Sequence, residues 1–200
     1  MLSSNYYSYF LKINIENFFF FFKLFHKIKI KILGFDIKFL IHKKDILNYL
    51  FFLKKNSTFL YTTLIDLIVE DFPKKKKRYV IKYFIRSIVY SKIIQITLQI
   101  KEYKSIYSII NLYKSSFWLE REVWDMYGIF FLFNKDLRRL LTDYGFKGNP
   151  LKKDFPLIGF LEINFDFFWK KLKYNKIKNT QKKHNFFINK IFKIKKKNYK

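Results

Sequence analysis

The sequence predicts an α+β fold: a mostly antiparallel sheet with packed helices, followed by a long extended loop and a basic C-terminal tail. Three observations lead to it. Runs rich in β-branched and aromatic residues follow one another between residues 59 and 100. Two other stretches carry apolar residues at helical spacing. Glycines and prolines then interrupt residues 145–159, and lysines dominate from residue 170 onward.

Residues 1–25 are aromatic-rich without a clear period. Ile28, Ile30 and Ile32 then alternate with lysines, as in a half-buried strand, and Phe35, Ile37 and Phe39 resume the alternation after Gly34. A hairpin turning around Leu33 to Asp36 is expected. From Asp45 the period changes, with Ile46, Leu50 and Leu53 forming one stripe of an amphipathic helix that Asn56 and Ser57 end. Phe59–Val69, Tyr79–Tyr90 and Ile93–Ile100 are expected to be consecutive antiparallel strands. Between the first two, Pro73 and the cationic run Lys74 to Arg78 predict a protruding solvated loop, since five like charges in a row repel one another. The run lacks the interleaved aromatics of a base-stacking surface.

Ser108 is expected to cap a short helix reaching Lys114, and a second helix should run from Phe117 to Tyr127, closed by Gly128. Its inward face reads as Leu119, Val123 and Met126, with Arg121 and Asp125 one turn apart on a neighbouring face. Ile129–Phe133 is a buried strand or an apolar crossover, and Asp136 is a candidate cap for one or two turns through Leu141. Gly145, Gly148, Pro150, Pro156 and Gly159 punctuate the long loop. Phe160–Phe165 reads as a last strand, and the lysine-rich tail from Lys170 reads as mobile when alone and partly helical when docked.

Composition bounds the chemistry. The chain has no cysteine, which excludes disulfides, thiolate catalysis and Cys-held metal or iron–sulfur centres. No run of about 20 apolar residues free of charges is present, and the start lacks the basic region and small-residue site of a signal peptide. Alanine is absent, while Phe, Ile, Lys, Asn and Tyr abound. All five are spelled by AT-rich codons, so the chain reads as organelle-encoded. The net charge of +26 is then accounted for by lysines accumulating at solvated positions, and a polyanionic partner is the alternative.

Residues 118–159 resist that drift, holding four of five glycines, two of three prolines, two of three tryptophans and three of five arginines. Residues 120–166 contain eight acids and seven bases, so the charge excess lies elsewhere. A phosphate-gripping protein would concentrate cations in its most specialised segment.

This segment reads Trp118-Leu-Glu-Arg-Glu-Val-Trp-Asp-Met-Tyr-Gly-Ile129, then Asp136-Leu-Arg-Arg-Leu-Leu-Thr-Asp-Tyr-Gly-Phe-Lys-Gly-Asn-Pro-Leu-Lys-Lys-Asp-Phe-Pro-Leu157. It resembles the signature of the C-type subunit of respiratory complex I, the mitochondrial subunit 9 or 30 kDa subunit. A weaker resemblance reaches upstream to about Phe59. The chain thus divides into an N-terminal region, 1–58, a family core, 59–167, and a basic extension, 168–200. It departs from the family at Asn134-Lys135, where His-Pro is usual, at Asn149, where a second histidine is usual, and at Lys152, where arginine is usual. His26, His42 and His184 all lie outside the signature, so no metal or general-base role carries over.

The resemblance implies a non-catalytic building block of the hydrophilic peripheral arm of NADH:ubiquinone oxidoreductase, beside the D-type, 49 kDa subunit that forms much of the quinone pocket. It implies the matrix side of the mitochondrial inner membrane, with membrane association only through the complex. It also implies no cofactor in this chain and no nucleic acid, FMN and iron–sulfur clusters belonging to partner subunits. Subunit-interface candidates are Glu120, Arg121, Glu122, Trp124, Asp125, Asp136, Arg138, Arg139, Asp143, Tyr144, Lys153 and Asp154. Glu120, Glu122 and Asp125 read as ion-pair partners of Arg121 or of a neighbouring subunit, and Arg138 and Arg139, adjacent on a helical turn, as forks for different carboxylates. Trp118 and Trp124 read as packing anchors, one of them a candidate interface hot spot, and the loop from Thr142 to Pro156 as the first partner contact. An organellar ribosomal protein, binding rRNA, is the alternative that charge and size also allow. A small stand-alone enzyme has no constellation of residues behind it.

Overall fold

Alternation and helical spacing recur as strands and helices in a computed structural model, which describes residues 29–33 and 36–177. The expected turn residues at 34–35, the aromatic start at 1–25 and the end of the lysine-rich tail lie outside the described residues. Five strands form one sheet: β1 Lys29–Leu33, β2 Asp36–Ile41, β3 Thr63–Asp71, β4 Tyr79–Ser87 and β5 Lys92–Ile100, in the order β1-β2-β5-β4-β3. β1 and β2 pair antiparallel as the hairpin pattern requires, and β3, β4 and β5 form the expected antiparallel meander. A register shift between Leu64 and Asp66 marks a bulge in β3. β2 pairs in parallel with β5, Ile37 opposite Ile94 through Ile41 opposite Leu98. Residues 36–55 therefore share a sheet and a core with the segment from 59 onward.

Helix α1, Ile46–Lys55, follows its stripe: Ile46, Tyr49, Leu50 and Leu53 are buried. Tyr49 meets Phe39 of β2 edge to face, with ring centroids 5.8 Å apart. Asn56 ends α1, donating its N–H to the Phe52 carbonyl while its side-chain Oδ1 accepts from Thr58. One face of the sheet supplies most of the core: Tyr79, Ile81, Tyr83 and Ile85 of β4 lie beside Ile94, Ile96, Leu98 and Ile100 of β5, all buried.

Helix α2, Ser116–Tyr127, starts one residue earlier than expected and ends where expected, with Gly128 in the left-handed region at φ 71° and its N–H on the Trp124 carbonyl. The short strands β6, Ile106–Tyr107, and β7, Phe131–Leu132, pair in parallel on either side of α2, which resolves residues 129–133 as a short strand.

Two expected caps do not form helices. Ser108 starts only a single turn, its hydroxyl accepting the Ile110 N–H at 3.3 Å while donating to Glu120, and the turn is closed by Tyr113 N–H on the Ile109 carbonyl. Residues 136–141 are likewise not helical, because the Asp136 carboxylate takes the Arg138 side chain and the backbone from 140 to 142 turns toward Asp125. The cationic run is also revised at its end: Lys74–Lys77 are exposed in turns, but Arg78 is buried.

The chain separates into two compact units, residues 1–155 and 156–200. In the second, β8, Leu161–Asp166, pairs antiparallel with β9, Lys171–Lys176. The lysine-rich extension therefore begins as a strand, its Lys171, Lys173 and Lys176 placed at intervals that a pleat accommodates.

Candidate functional site

Three charged side chains of α2, those of Glu120, Arg121 and Asp125, are buried, while Glu122 is exposed. Glu120 and Asp125 are fully buried and Arg121 nearly so, which corrects the reading of Leu119, Val123 and Met126 as the whole inward face. Buried polar groups need partners, and each of these finds them within the chain.

Glu120 accepts from the Ser108 hydroxyl at 2.7 Å, the Ile109 N–H at 2.8 Å and the Asn134 side-chain amide at 3.1 Å. Burial pushes its carboxyl above the usual range, and these donors pull it only partly back. Arg121 does not pair with it. Its guanidinium donates to the Arg138 carbonyl at 3.1 Å and the Arg139 carbonyl at 3.4 Å, and lies over the rings of Phe117 and Trp118.

Asp125 is the most heavily engaged carboxylate. Its Oδ2 accepts the N–H groups of Leu140, Leu141 and Thr142 at 3.1, 2.9 and 2.9 Å, and its Oδ1 accepts Arg139 Nη1 at 2.7 Å and the Thr142 hydroxyl at 2.6 Å. Burial alone would raise its pKa, but the hydrogen bonds from Thr142, Leu141 and Arg139 outweigh that and hold it at about 2. Arg139 continues the network, reaching the Gly148 carbonyl at 3.0 Å with its guanidinium 5.7 Å from the ring centres of both Trp124 and Phe146. Half-buried Trp124 thus packs against Arg139.

The departures at 134 and 149 have structural work. Asn134 joins Glu120 to the Asp136 N–H, and Asn149 donates to the Asp125 carbonyl at 2.9 Å, satisfying the end of α2. A Cβ on Gly128 would stand 2.6 Å from Asn149 Oδ1, and one on Gly148 2.8 Å from the Phe155 ring. Both glycines also have positive φ, so close approach and backbone conformation coincide there.

Arg78 clamps the far end of the loop. It forks onto Asp71 at 2.7 and 2.9 Å and reaches Glu102 at 2.9 Å and Asp154 at 2.5 Å, while the Lys153 N–H donates to Asp71. The Arg78 hydrogen bond holds the Asp71 carboxyl below the usual range. Sequence reasoning placed Arg78 in the solvated loop. Its signal was its rarity: only five of 41 basic residues are arginine, and where lysine accumulates freely a retained fork marks a bidentate contact.

The expected interface residues therefore fall into two groups, with Trp124 and Asp136 half-buried between them. Glu120, Arg121, Asp125 and Arg139 are brought together as internal positioning groups, and the ion pairs of Arg121 with Glu120 or Asp125 are replaced by the contacts above. Arg138 and Arg139 do address different carboxylates, Asp136 and Asp125, but from an irregular segment. Glu122, Arg138, Asp143, Tyr144, Lys153 and Asp154 remain on the surface, as does Trp118, with Tyr144 98% exposed. Among the described residues no helix is long and apolar enough to cross a membrane.

The fold is that of solved subunits of respiratory complexes. It matches the trypsin-resistant fragment (1-134) of Nqo5 with a TM-score of 0.55 at 18% identity, over 62% of this chain and 99% of that one. It also matches a chain of the membrane-bound sulfane sulfur reductase, an archaeal respiratory membrane complex, with a TM-score of 0.58 at 18% identity, over 66% of this chain and 78% of that one. The family model for the respiratory-chain NADH dehydrogenase, 30 Kd subunit, matches residues 39–160, starting upstream of the resemblance seen in the sequence. The C-type subunit of the NADH-quinone oxidoreductase of Parvibaculum lavamentivorans is 37% identical over 160 residues, covering 78% of this chain and 80% of the relative. NADH-ubiquinone oxidoreductase subunit 9 of Prototheca wickerhamii is 39% identical over 131 residues, covering 66% and 68%. The chain belongs to this family, the 30 kDa or C-type subunit of respiratory-chain NADH dehydrogenase. The ribosomal alternative is left without support.

Each of the two buried carboxylates can be tested by substitution. Glu120→Ala strands the Ser108, Ile109 and Asn134 donors and should cost about 3 kcal/mol. Glu120→Gln, which keeps an acceptor oxygen, should cost less than half as much by urea unfolding. Because the folded-state pKa of Asp125 lies below its unfolded value, its contribution is present above about pH 4 and is lost as pH falls toward 2. In acid unfolding curves Asp125→Asn should flatten that limb by roughly 2 kcal/mol, and an unchanged limb would contradict the assignment.

Proposed function

We propose that the chain is a non-catalytic building block of the peripheral arm of respiratory complex I, with FMN and iron–sulfur clusters carried by partner subunits. Its own residues would shape a docking surface. The observation that carries this reading is that Asp125 and Arg139 of the signature, with Arg78 and Asp71 of the sheet, are spent on contacts within the chain, fixing residues 138–155 against α2 and the end of the sheet. A loop so held presents Leu141, Tyr144 and Leu151 outward, each at least half exposed in the isolated chain. Rigid aromatic and apolar groups at low entropic cost are the usual anchors of protein interfaces.

The partner that fits best is the D-type, 49 kDa subunit beside the quinone pocket, on the matrix side of the mitochondrial inner membrane. Support for the location comes from mitochondrial relatives such as subunit 9 of Prototheca wickerhamii and from the AT-rich composition, which also supports an organelle-encoded gene. Absence of cysteine from the whole chain supports the assignment of iron–sulfur centres elsewhere.

On a native gel the tagged chain should co-migrate with NADH-oxidising activity, whereas the purified chain should turn over neither NADH nor quinone and show no visible chromophore. Tyr144→Ala should lower incorporation about 30-fold, a hot-spot loss of about 2 kcal/mol, without shifting the chain's unfolding midpoint. Full incorporation of this variant would remove the loop from the interface, and turnover by the isolated chain would overturn the building-block reading.

A further inference from the structure

The β8–β9 ribbon is two-faced. Opposed residues share a face, so Leu161, Ile163 and Phe165 lie with Leu172, Tyr174 and, at the end away from the turn, Lys176 on one side, and Glu162, Asn164 and Asp166 lie with Asn175, Lys173 and Lys171 on the other. All five apolar residues are between 42% and 64% exposed. A lone two-stranded ribbon is marginal in water, and one that also leaves its apolar face bare gains little from pairing.

Its tip is fixed. Asp166 Oδ1 accepts the N–H groups of Phe168 at 3.0 Å and Trp169 at 3.3 Å, and Lys170 takes a left-handed conformation at φ 49° to close the turn. Phe167 packs edge to face on Phe165 and Trp169 on Phe168, both with ring centroids 5.2 Å apart. Phe167, Phe168 and Trp169 are nonetheless 85%, 84% and 67% exposed. Three cations, Lys170, Lys171 and Lys173, lie at or next to the tip, while the ribbon's own acids are engaged locally: Asp166 with the tip and Glu162 with the Asn164 amide.

We propose that this ribbon docks on a partner protein of the assembly, one offering an apolar pocket for the aromatic tip, a groove for the strip behind it, and carboxylates around the rim. This rests on the subunit reading above but concerns a different surface from the 142–156 loop. The strip favours a protein over a lipid surface. It runs about 20 Å back from the tip along one flat face, with alternate side chains spaced for a sheet or strand groove, whereas a bilayer would engage the tip alone. The unanswered lysines set the sign of the rim.

Carbodiimide coupling of the intact NADH-oxidising complex, which joins an amine only to a carboxylate in contact with it, tests this directly. Lys170, Lys171 or Lys173 should be joined to Asp or Glu of one partner subunit. Replacing Phe167, Phe168 and Trp169 by serine in the full chain should lower incorporation about tenfold or more. Lys170→Glu with Lys171→Glu, which leaves every apolar residue in place, should weaken it by a margin that shrinks as salt rises. The proposal is overturned if these lysines couple to no partner, or if both variants are incorporated normally. Binding of the chain to phosphatidylcholine–cardiolipin vesicles that is lost in the serine variant, with no partner cross-link, would assign the ribbon to lipid and overturn it too. Absence of the unaltered chain from the complex would sink the subunit reading itself, and this proposal with it.

Discussion

One carboxylate, that of Asp125, organises the most specialised part of the molecule. It is fully buried on α2 and accepts five hydrogen bonds from Arg139, Leu140, Leu141 and Thr142. Three consecutive backbone N–H groups aimed at one oxygen leave residues 140–142 little conformational choice, and the charge on that oxygen strengthens each bond. The neighbouring parts of the loop inherit the constraint: Arg139 spans to Gly148, Asn149 returns to the end of α2, and Leu151 donates to the Met126 carbonyl.

A second anchor at Arg78 holds the same loop to the sheet through Asp71 and Asp154. Between the two anchors a segment of about fifteen residues with no helix or strand has a defined path, which loops of this length seldom have without a reason. The near balance of acids and bases in residues 120–166 reflects this design, since each inward acid is matched by a donor inside the chain. The large positive total lies outside this segment, which holds only four of the 36 lysines.

Much of this fold was legible because it depends on local period. The α1 stripe at Ile46, Leu50 and Leu53, the β3–β5 meander and the glycine stop at 128 all emerge where the pattern places them. The parallel pairing of β2 with β5 is non-local and left no mark in either strand. Ser108 and Asp136 look like caps, but Ser108 heads only one turn with its hydroxyl also tied to the buried Glu120, and the Asp136 carboxylate is taken by a neighbouring guanidinium. β9 was hidden because Leu172 and Tyr174 alternate with lysines in a stretch where lysine is commonplace.

Site membership was easier to read than site wiring. Composition singled out residues 118–159, yet Glu120 and Asp125 find their partners 11 to 17 residues away, at distances no helical spacing rule covers. These charges act within the chain to hold the loop, and amide hydrogen exchange on the isolated full-length chain tests that role most directly. Slow exchange at Leu140, Leu141 and Thr142 that becomes fast in Asp125→Ala is the predicted result, and equally fast exchange in both proteins would contradict it.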